Sequence, residues 1–391
     1  MFSRIQTSAG RTCALAAVLL IAGAACTGGA SPPASATLPS ATGTPSETTA
    51  ASPAPSAAPS GGISTNEIQI ALDLANKAIA GQAAEYRGTS GKTIGFVAAQ
   101  LSNDGFRAQY IGFLAGAIQA SMNVVTLNAE NDATKQLNMI QDLLTRKVDA
   151  IVFTPVDSAA LSAGVIAANK ANVPVILIDR STEGGQVTAL VESDNVAIGA
   201  AGADLLWQAA SQANIPATNL KVFELMGDQA TSAGVERHEG FSKQAQKLGL
   251  NIVVAIDGKW DAAKGNAAVL DAFQRAPDIN AVYMASGCAY FPGVFSALKS
   301  LNKLHKIGDP GHIIWISTDG CPGPVDAVRE GYVDGDAAQR IIEMGLRAAE
   351  AAVAAINKQP VEPRLLLGPD PITPANVNDP THWSNVLKLG S

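Results

Sequence analysis

Between residues 92 and 317, short apolar runs and longer amphipathic stretches take turns along the chain. The runs at 94–98, 124–127, 150–153, 173–178, 187–191, 222–226, 252–256, 281–284 and 313–317 have the length and the Val/Ile enrichment of buried strands. The stretches between them, the first beginning near Ala108, carry helical spacing. Upstream, residues 63–81 also read as a helix: Ile68, Leu72, Ala75 and Ile79 recur at helical intervals, and Ser64 or Thr65 can supply the N-cap. That helix is expected to pack outside the main body. Repeated strand–helix alternation predicts parallel sheets with helices on both faces, and there are more strands than one doubly wound sheet comfortably holds. The expected fold class is therefore α/β, with two doubly wound parallel-sheet lobes.

Polar residues gather where the strand runs end: Asn103 and Asp104, Thr154 and Asp157, Asp179 and Arg180, Gly227 and Asp228, Ser286, and Thr318 and Asp319. Ligands of open parallel sheets bind beyond the carboxyl ends of the strands, so these positions mark out a polar cleft between the lobes.

The beginning of the chain has a different texture. Arg4 and Arg11 precede an apolar stretch at 13–25, shorter than the roughly 20 residues a membrane-spanning helix needs but suited to an export signal. Cys26 follows at once, between Gly23-Ala24-Ala25 and Thr27-Gly28-Gly29. This setting resembles the bacterial lipobox, whose Cys is lipidated and becomes the mature N-terminus; Gly23 stands where that pattern prefers Leu. From 27 to 62 every residue except Leu38 and Glu47 is Ala, Ser, Thr, Pro or Gly. A segment with nothing to bury stays disordered, and as a coil its ends would sit about 30–35 Å apart, a tether.

Composition removes several function classes. Hydrophobic residues are 47% of the 391 and charged ones 16%, which suits a globular body with filled cores. The net charge is −7 and no run of Lys and Arg could follow a phosphate backbone, so nucleic acid is not an expected partner. His238, His305, His312 and His382 show no metal-ligand spacing, and neither a G-x-S-x-G nucleophile turn nor a G-x-G-x-x-G dinucleotide loop follows a strand. The stretch GTSGKT at 88–93 imitates a phosphate loop, but Tyr86 holds the place of its first Gly and the stretch leads into a strand instead of following one. No catalytic set, metal or cofactor is expected.

VPVILIDR at 173–180, ESDN at 192–195, GDQATSAGVERHEGF at 227–241 and STDGCPG at 317–323 occur in an order that resembles the periplasmic sugar-binding proteins of the ribose-binding type, over residues 92–359. SNDGFRAQ at 102–109 is similar to the galactofuranose-binding branch of that family. The resemblance implies a type I periplasmic binding protein: two lobes, a three-crossing hinge, and a sugar or polyol held between them. It implies that Asp179 and Arg180 grip hydroxyls from the first lobe and Arg237 from the second. A carboxylate can accept from two vicinal hydroxyls while a guanidinium donates in a rigid fork. Phe106 and Trp260 match ring-sandwiching aromatics, Asp319 the carboxylate of the family's F-D-G loop, and Gln339 a hinge glutamine that reaches the ligand. The galactofuranose-like match would make Arg107 a further donor at the opening loop, with Asn103 an adjacent candidate. Where most members carry Asn-Asp, this chain has Ser286-Gly287-Cys288, and Ser286 is the nearest substitute.

Cys13 leaves with the signal and Cys26 would carry lipid, leaving Cys288 and Cys321 as the thiols of the folded body. Both follow second-lobe strands in an exported chain, so a disulfide bordering the cleft is expected.

The expected organisation is a signal at 1–25, the lipidated Cys26 with its linker to 62, a helical lead-in at 63–90, a first lobe at 91–194 plus 339–360, and a second at 195–338 plus 361–391. Crossings are expected near 194–195, 338–339 and 359–362, with Trp383 packing on the second lobe. Such a monomer, anchored by lipid on the outer face of the cell membrane, would hand its ligand to an ABC importer permease. The rival roles are a sensor presenting its ligand to a membrane receptor, a carbohydrate-active α/β enzyme, and a sugar-responsive repressor.

Overall fold

The computed structural model of the protein describes residues 63–388. The expected signal segment, Cys26 and the linker lie outside these residues. Helix α1 (Thr65–Ile79) opens on a reciprocal cap: the Glu67 N–H donates to Ser64 Oγ at 3.2 Å, and the Ser64 N–H donates to the Glu67 carboxylate at 2.7 Å. Its Ile68, Leu72 and Leu74 are buried in the first lobe's core cluster. The helix is therefore part of that lobe, not an outlier as its sequence suggested, because its apolar face has no other surface to cover.

The first lobe is a seven-stranded sheet made of β1 (Ala84–Tyr86), β2 (Thr93–Ala98), β3 (Asn123–Asn128), β4 (Ala150–Phe153), β5 (Val175–Ile178), β6 (Ala189–Ser193) and β12 (Arg364–Leu367). Their spatial order is β1-β3-β2-β4-β5-β6-β12, and every pair is parallel except β1 with β3. Every residue of AIVF in β4 and of VILI in β5 is buried, as a strand covered by helices on both faces requires. On one face α2 (Asp104–Gln119) packs along α10 (Ile341–Ile356). Helix α2 begins four residues earlier than the apolar spacing indicated because Asn103 caps it.

The second lobe is six-stranded: β7 (Lys221–Met226), β8 (Asn251–Asp257), β9 (Ala281–Met284), β10 (Ile314–Asp319), β11 (Gly335–Ala338) and β13 (Asp370–Ile372), in the order β13-β11-β10-β9-β7-β8. Here only the β11–β13 pair is antiparallel. Around it lie α5 (Asn195–Gln212) packed on α6 (Ser232–Leu248), and α7 (Ala262–Arg275) packed on α8 (Gly287–Ser300). Helix α9 (Pro322–Glu330) follows β10.

The chain passes between lobes three times. The first two passages fall at Asp194, between β6 and α5, and at Gln339 and Arg340, between β11 and α10. The third differs from expectation. Arg364 to Leu367 pair in register with Leu190 to Ser193, so β12 still belongs to the first sheet and the crossing comes at 368–369 instead of 359–362. The final helix α11 (Trp383–Lys388) contacts both α2 and α9. Its Trp383 is buried among first-lobe side chains as well as against the second lobe, which corrects the expectation of second-lobe packing alone.

Candidate functional site

At the end of β10, Asp319 has a φ of 86° and Gly320 a φ of 81°, two consecutive left-handed residues that turn the chain sharply into α9. Gly320 admits nothing larger: a Cβ there would lie 2.6 Å from Trp383 Nε1 and 2.7 Å from the Ala338 Cβ. The corner aims the buried Asp319 carboxylate into a group of donors. Oδ1 accepts from Arg237 Nη1 at 2.7 Å and from Gln339 Nε2 at 2.8 Å, while Oδ2 accepts from Ser286 Oγ at 2.5 Å.

Arg237 lies on α6 with its side chain only 6% exposed, matching Asp319. Besides Asp319 it donates to the Ala285 carbonyl at 2.7 Å and, through Nε, to Asn195 Oδ1 at 2.9 Å. Burial works against its charge, but Asp319, Tyr283 and Asp179 outweigh that and hold its pKa above the ordinary arginine value. Asp179 belongs to the first lobe, so the electrostatics of the two lobes are joined here. Gln339 makes the same connection by hydrogen bonding, since its Oε1 accepts from Ser193 Oγ at 2.7 Å across the hinge.

Trp260 follows β8 with its own left-handed backbone, φ 51°. Its N–H donates to the Tyr290 hydroxyl at 2.8 Å, its indole N–H to Thr231 Oγ1 at 3.3 Å, and the Arg237 guanidinium stands 5.8 Å from its ring centre. The ring rests directly on Gly227, where a Cβ would come within 1.9 Å of it. Here glycine is required by contact, not by backbone angle.

On the first lobe, Asp179 leaves β5 with φ 70°, and Arg180 Nε stands 3.4 Å from its carboxylate while the guanidinium lies 5.8 Å from the Phe106 ring centre. Arg107 pairs with Asp104 at 2.5 Å, and its Nε is buried without a hydrogen-bond partner. Asn103 spends its side-chain oxygen on the backbone N–H groups of Gly105 (2.9 Å) and Phe106 (3.3 Å), capping α2. Among the candidates, then, Arg237, Trp260, Ser286, Asp319 and Gln339 form one connected group, Phe106, Asp179 and Arg180 a second, and Asn103 and Arg107 flank the latter.

Cys288 and Cys321 are joined by a disulfide with 5.4 Å between their Cα atoms. It forms part of the wall of a cavity of about 380 Å³ lined from the first lobe by Ser102 and Asp104 and from the second by Phe291 and Pro322. Among the described residues, no group of three or more His, Cys, Asp or Glu could hold a metal ion.

Residues that the sequence reading passed over complete the site. Ser193 and Asn195 hold Gln339 and Arg237, and both stand in the ESDN stretch, which the sequence marks as a family motif and a crossing but not as part of the site. Asp336, on β11, is fully buried and accepts the Gly320 N–H at 2.8 Å; burial pushes its pKa up to about 7. Its strand, GDAA, is too short and too polar to register as one.

The periplasmic binding protein domain matches residues 94–360, more than half of the chain. The chain belongs to this family. It is 33% identical over 260 residues to the ribose import binding protein RbsB of Bacillus subtilis (strain 168), covering 66% of this chain and 80% of that one. Among solved structures of the fold, a periplasmic solute-binding protein of an ABC transporter from Actinobacillus succinogenes 130z with bound D-allose superimposes with a TM-score of 0.63. The two are 21% identical, and the match covers 74% of this chain and 99% of that one. A galactofuranose binding protein gives a TM-score of 0.60 at 19% identity, covering 77% and 100%. The lobes are those of a type I periplasmic binding protein. The family domain ends before β12, β13 and α11, so Trp383 lies beyond the matched span.

Proposed function

We propose that this protein is the substrate-binding lipoprotein of an ABC importer, capturing a neutral sugar or polyol between its lobes and presenting it to the permease. The observation that carries this reading is the group centred on Asp319, with Arg237, Ser286 and Gln339 converging on one carboxylate at the carboxyl end of a parallel strand. Such a group offers donors and acceptors in the fixed directions that a polyhydroxylated ring demands, and Trp260 stands beside it to cover an apolar ring face. Across the cleft, Asp179, Arg180 and Phe106 offer the same combination of carboxylate, guanidinium and aromatic ring.

Charge supports a neutral ligand. Arg107, Arg180 and Arg237 are matched by Asp104, Asp179 and Asp319, each Arg paired with its own Asp. A sugar acid or phosphate would leave one sign of charge uncompensated, at a cost. A ligand touching both lobes favours their closure through contacts made only in the closed form. The relatives are transport proteins, not enzymes, and the reading needs no chemistry on the ligand. Export by the segment at 1–25, lipidation of Cys26, and a monomeric working state belong to the same proposal.

A thermal-shift screen of residues 62–391 against pentoses, hexoses, furanosides, alditols and cyclitols tests it. A ligand at 100 times its Kd raises stability by about 2.7 kcal/mol. A shift with one class, lost in Asp179→Ala and in Arg237→Ala, supports the cleft; no shift with any class sinks the sugar reading. Mass spectrometry of the membrane fraction checks the lipid, and an unmodified N-terminus elsewhere than Cys26 would refute the anchor.

A further inference from the structure

The stretch NVNDPTHW at 376–383 has no part in either sheet, yet it is tied down at almost every residue. Asn376 Oδ1 accepts from the Thr373 N–H at 2.7 Å, and its Nδ2 donates to the Pro371 carbonyl at 2.9 Å. His382 is buried, with Nδ1 2.7 Å from Asp370 Oδ2 and Nε2 3.1 Å from the Asn376 carbonyl. From α9, Arg329 donates to Asn378 Oδ1 and to Asn385 Oδ1, each at 2.9 Å. These bonds hold the segment that ends in Trp383, whose indole N–H donates to the Asp319 carbonyl at 2.8 Å in a buried setting. The same indole nitrogen, with the Ala338 Cβ, leaves no room for a side chain at Gly320.

Asp319 needs such support. A non-glycine residue at positive φ is disfavoured and persists only where its surroundings hold it. Four restraints meet at this corner: Trp383 on the Asp319 carbonyl, Gln339 N–H on the same carbonyl at 3.3 Å, Asp336 on the Gly320 N–H, and the disulfide at Cys321. Of these, Trp383 comes from a helix, α11, that also touches α2 of the first lobe.

We infer that Trp383 is a positioning residue for ligand recognition: through its indole N–H it holds the left-handed corner that aims the Asp319 carboxylate, and so sets affinity and hydroxyl selectivity. This rests on the reading of Asp319 as a sugar-binding residue. Trp383 touches no ligand itself. Its bond fixes the backbone of Asp319, and a tilt of that peptide would swing the carboxylate away from Arg237, Ser286 and the hydroxyl they share.

Calorimetric titration of the soluble chain with D-ribose, D-allose, D-arabinose, myo-inositol and 2-deoxy-D-ribose tests this in three proteins. They are the unmodified chain, Trp383→Phe, which keeps a ring in the packing but removes the donor, and Val386→Ala, which opens a gap in the same helix without touching Asp319. Trp383→Phe should weaken the preferred sugar at least about tenfold and narrow its margin over the other probes. Val386→Ala should lower the unfolding temperature of the ligand-free protein while keeping Kd and the order of preference. If Trp383→Phe binds within about twofold of the unmodified chain, or if both variants weaken every probe by one common factor, the inference is overturned. If the unmodified chain binds none of the probes, the sugar reading fails and takes this inference with it, an outcome visible without any variant.

Discussion

Arg237 and Asp319 meet at 2.7 Å with both side chains withdrawn from solvent, and each belongs to a different element of the second lobe. A buried ion pair of this kind is costly to break by halves, because removing one partner strands the other's charge. Arg237→Ala should therefore cost about 3–5 kcal/mol of stability as well as ligand binding. Urea unfolding of the ligand-free variant measures the first effect. A loss under about 1 kcal/mol would mean that water reaches Asp319 more easily than its burial indicates.

Closing a loop of 33 residues, the Cys288–Cys321 disulfide should contribute about 3–4 kcal/mol on the chain-entropy account. Replacing both cysteines by Ala should lower stability by that order and slacken the two segments that carry Ser286 and Asp319, weakening ligand binding too. Non-reducing mass spectrometry shows whether the bond forms; two free thiols in protein exported by its own cell would contradict it.

Gly227→Ala places a methyl group inside the Trp260 ring's volume. The indole must move, so binding should weaken by about tenfold, or 1.4 kcal/mol, even though position 227 need not touch the ligand. Titration of this variant beside Trp260→Ala decides the matter: equal losses identify displacement of Trp260 as the cause.

Asp336 gives the protein a pH dependence with a definite sign. Burial raises its pKa from 3.8 to about 7 in the folded state, and the neighbouring Asp319 pushes the same way, while Ser317, the Gly320 N–H and Arg237 pull it down. Between these values the unfolded chain holds fewer protons than the folded one, so this contribution is whole below about pH 4 and is lost as pH rises towards 7. Asp336→Asn keeps an oxygen for the Gly320 N–H but cannot titrate. Its unfolding midpoint should fall less than that of the unmodified protein over this interval, and parallel curves would refute the assignment.

Much of this architecture was legible in the sequence because parallel strands covered on both faces must be continuously apolar, and AIVF and VILI are unmistakable on that ground. AEY, GDAA, RLLL and DPI escaped for the opposite reason. They are three or four residues long, and they lie at or near sheet margins or carry a buried Asp, so no periodicity announces them. Missing β12 is what displaced the third crossing. At the candidate site, Asp179, Ser286 and Asp319 follow strand runs, and Phe106, Arg107 and Arg237, which lie on helices, are legible by type and motif. The residues that hold them, Ser193, Asn195, Asp336 and Trp383, act through hydrogen bonds to partners 16 to 146 residues away along the chain, so no local pattern reveals what they support.

The pairing of β12 with β6 sets the order in which the molecule can be finished. Arg364 reaches Leu190 only after five of the second lobe's six strands have been strung between them, and α10 reaches α2 over a still longer span. Contacts so distant along the chain form slowly, because a large loop must close before they stabilise anything. The first lobe's sheet edge is therefore among the last parts to close.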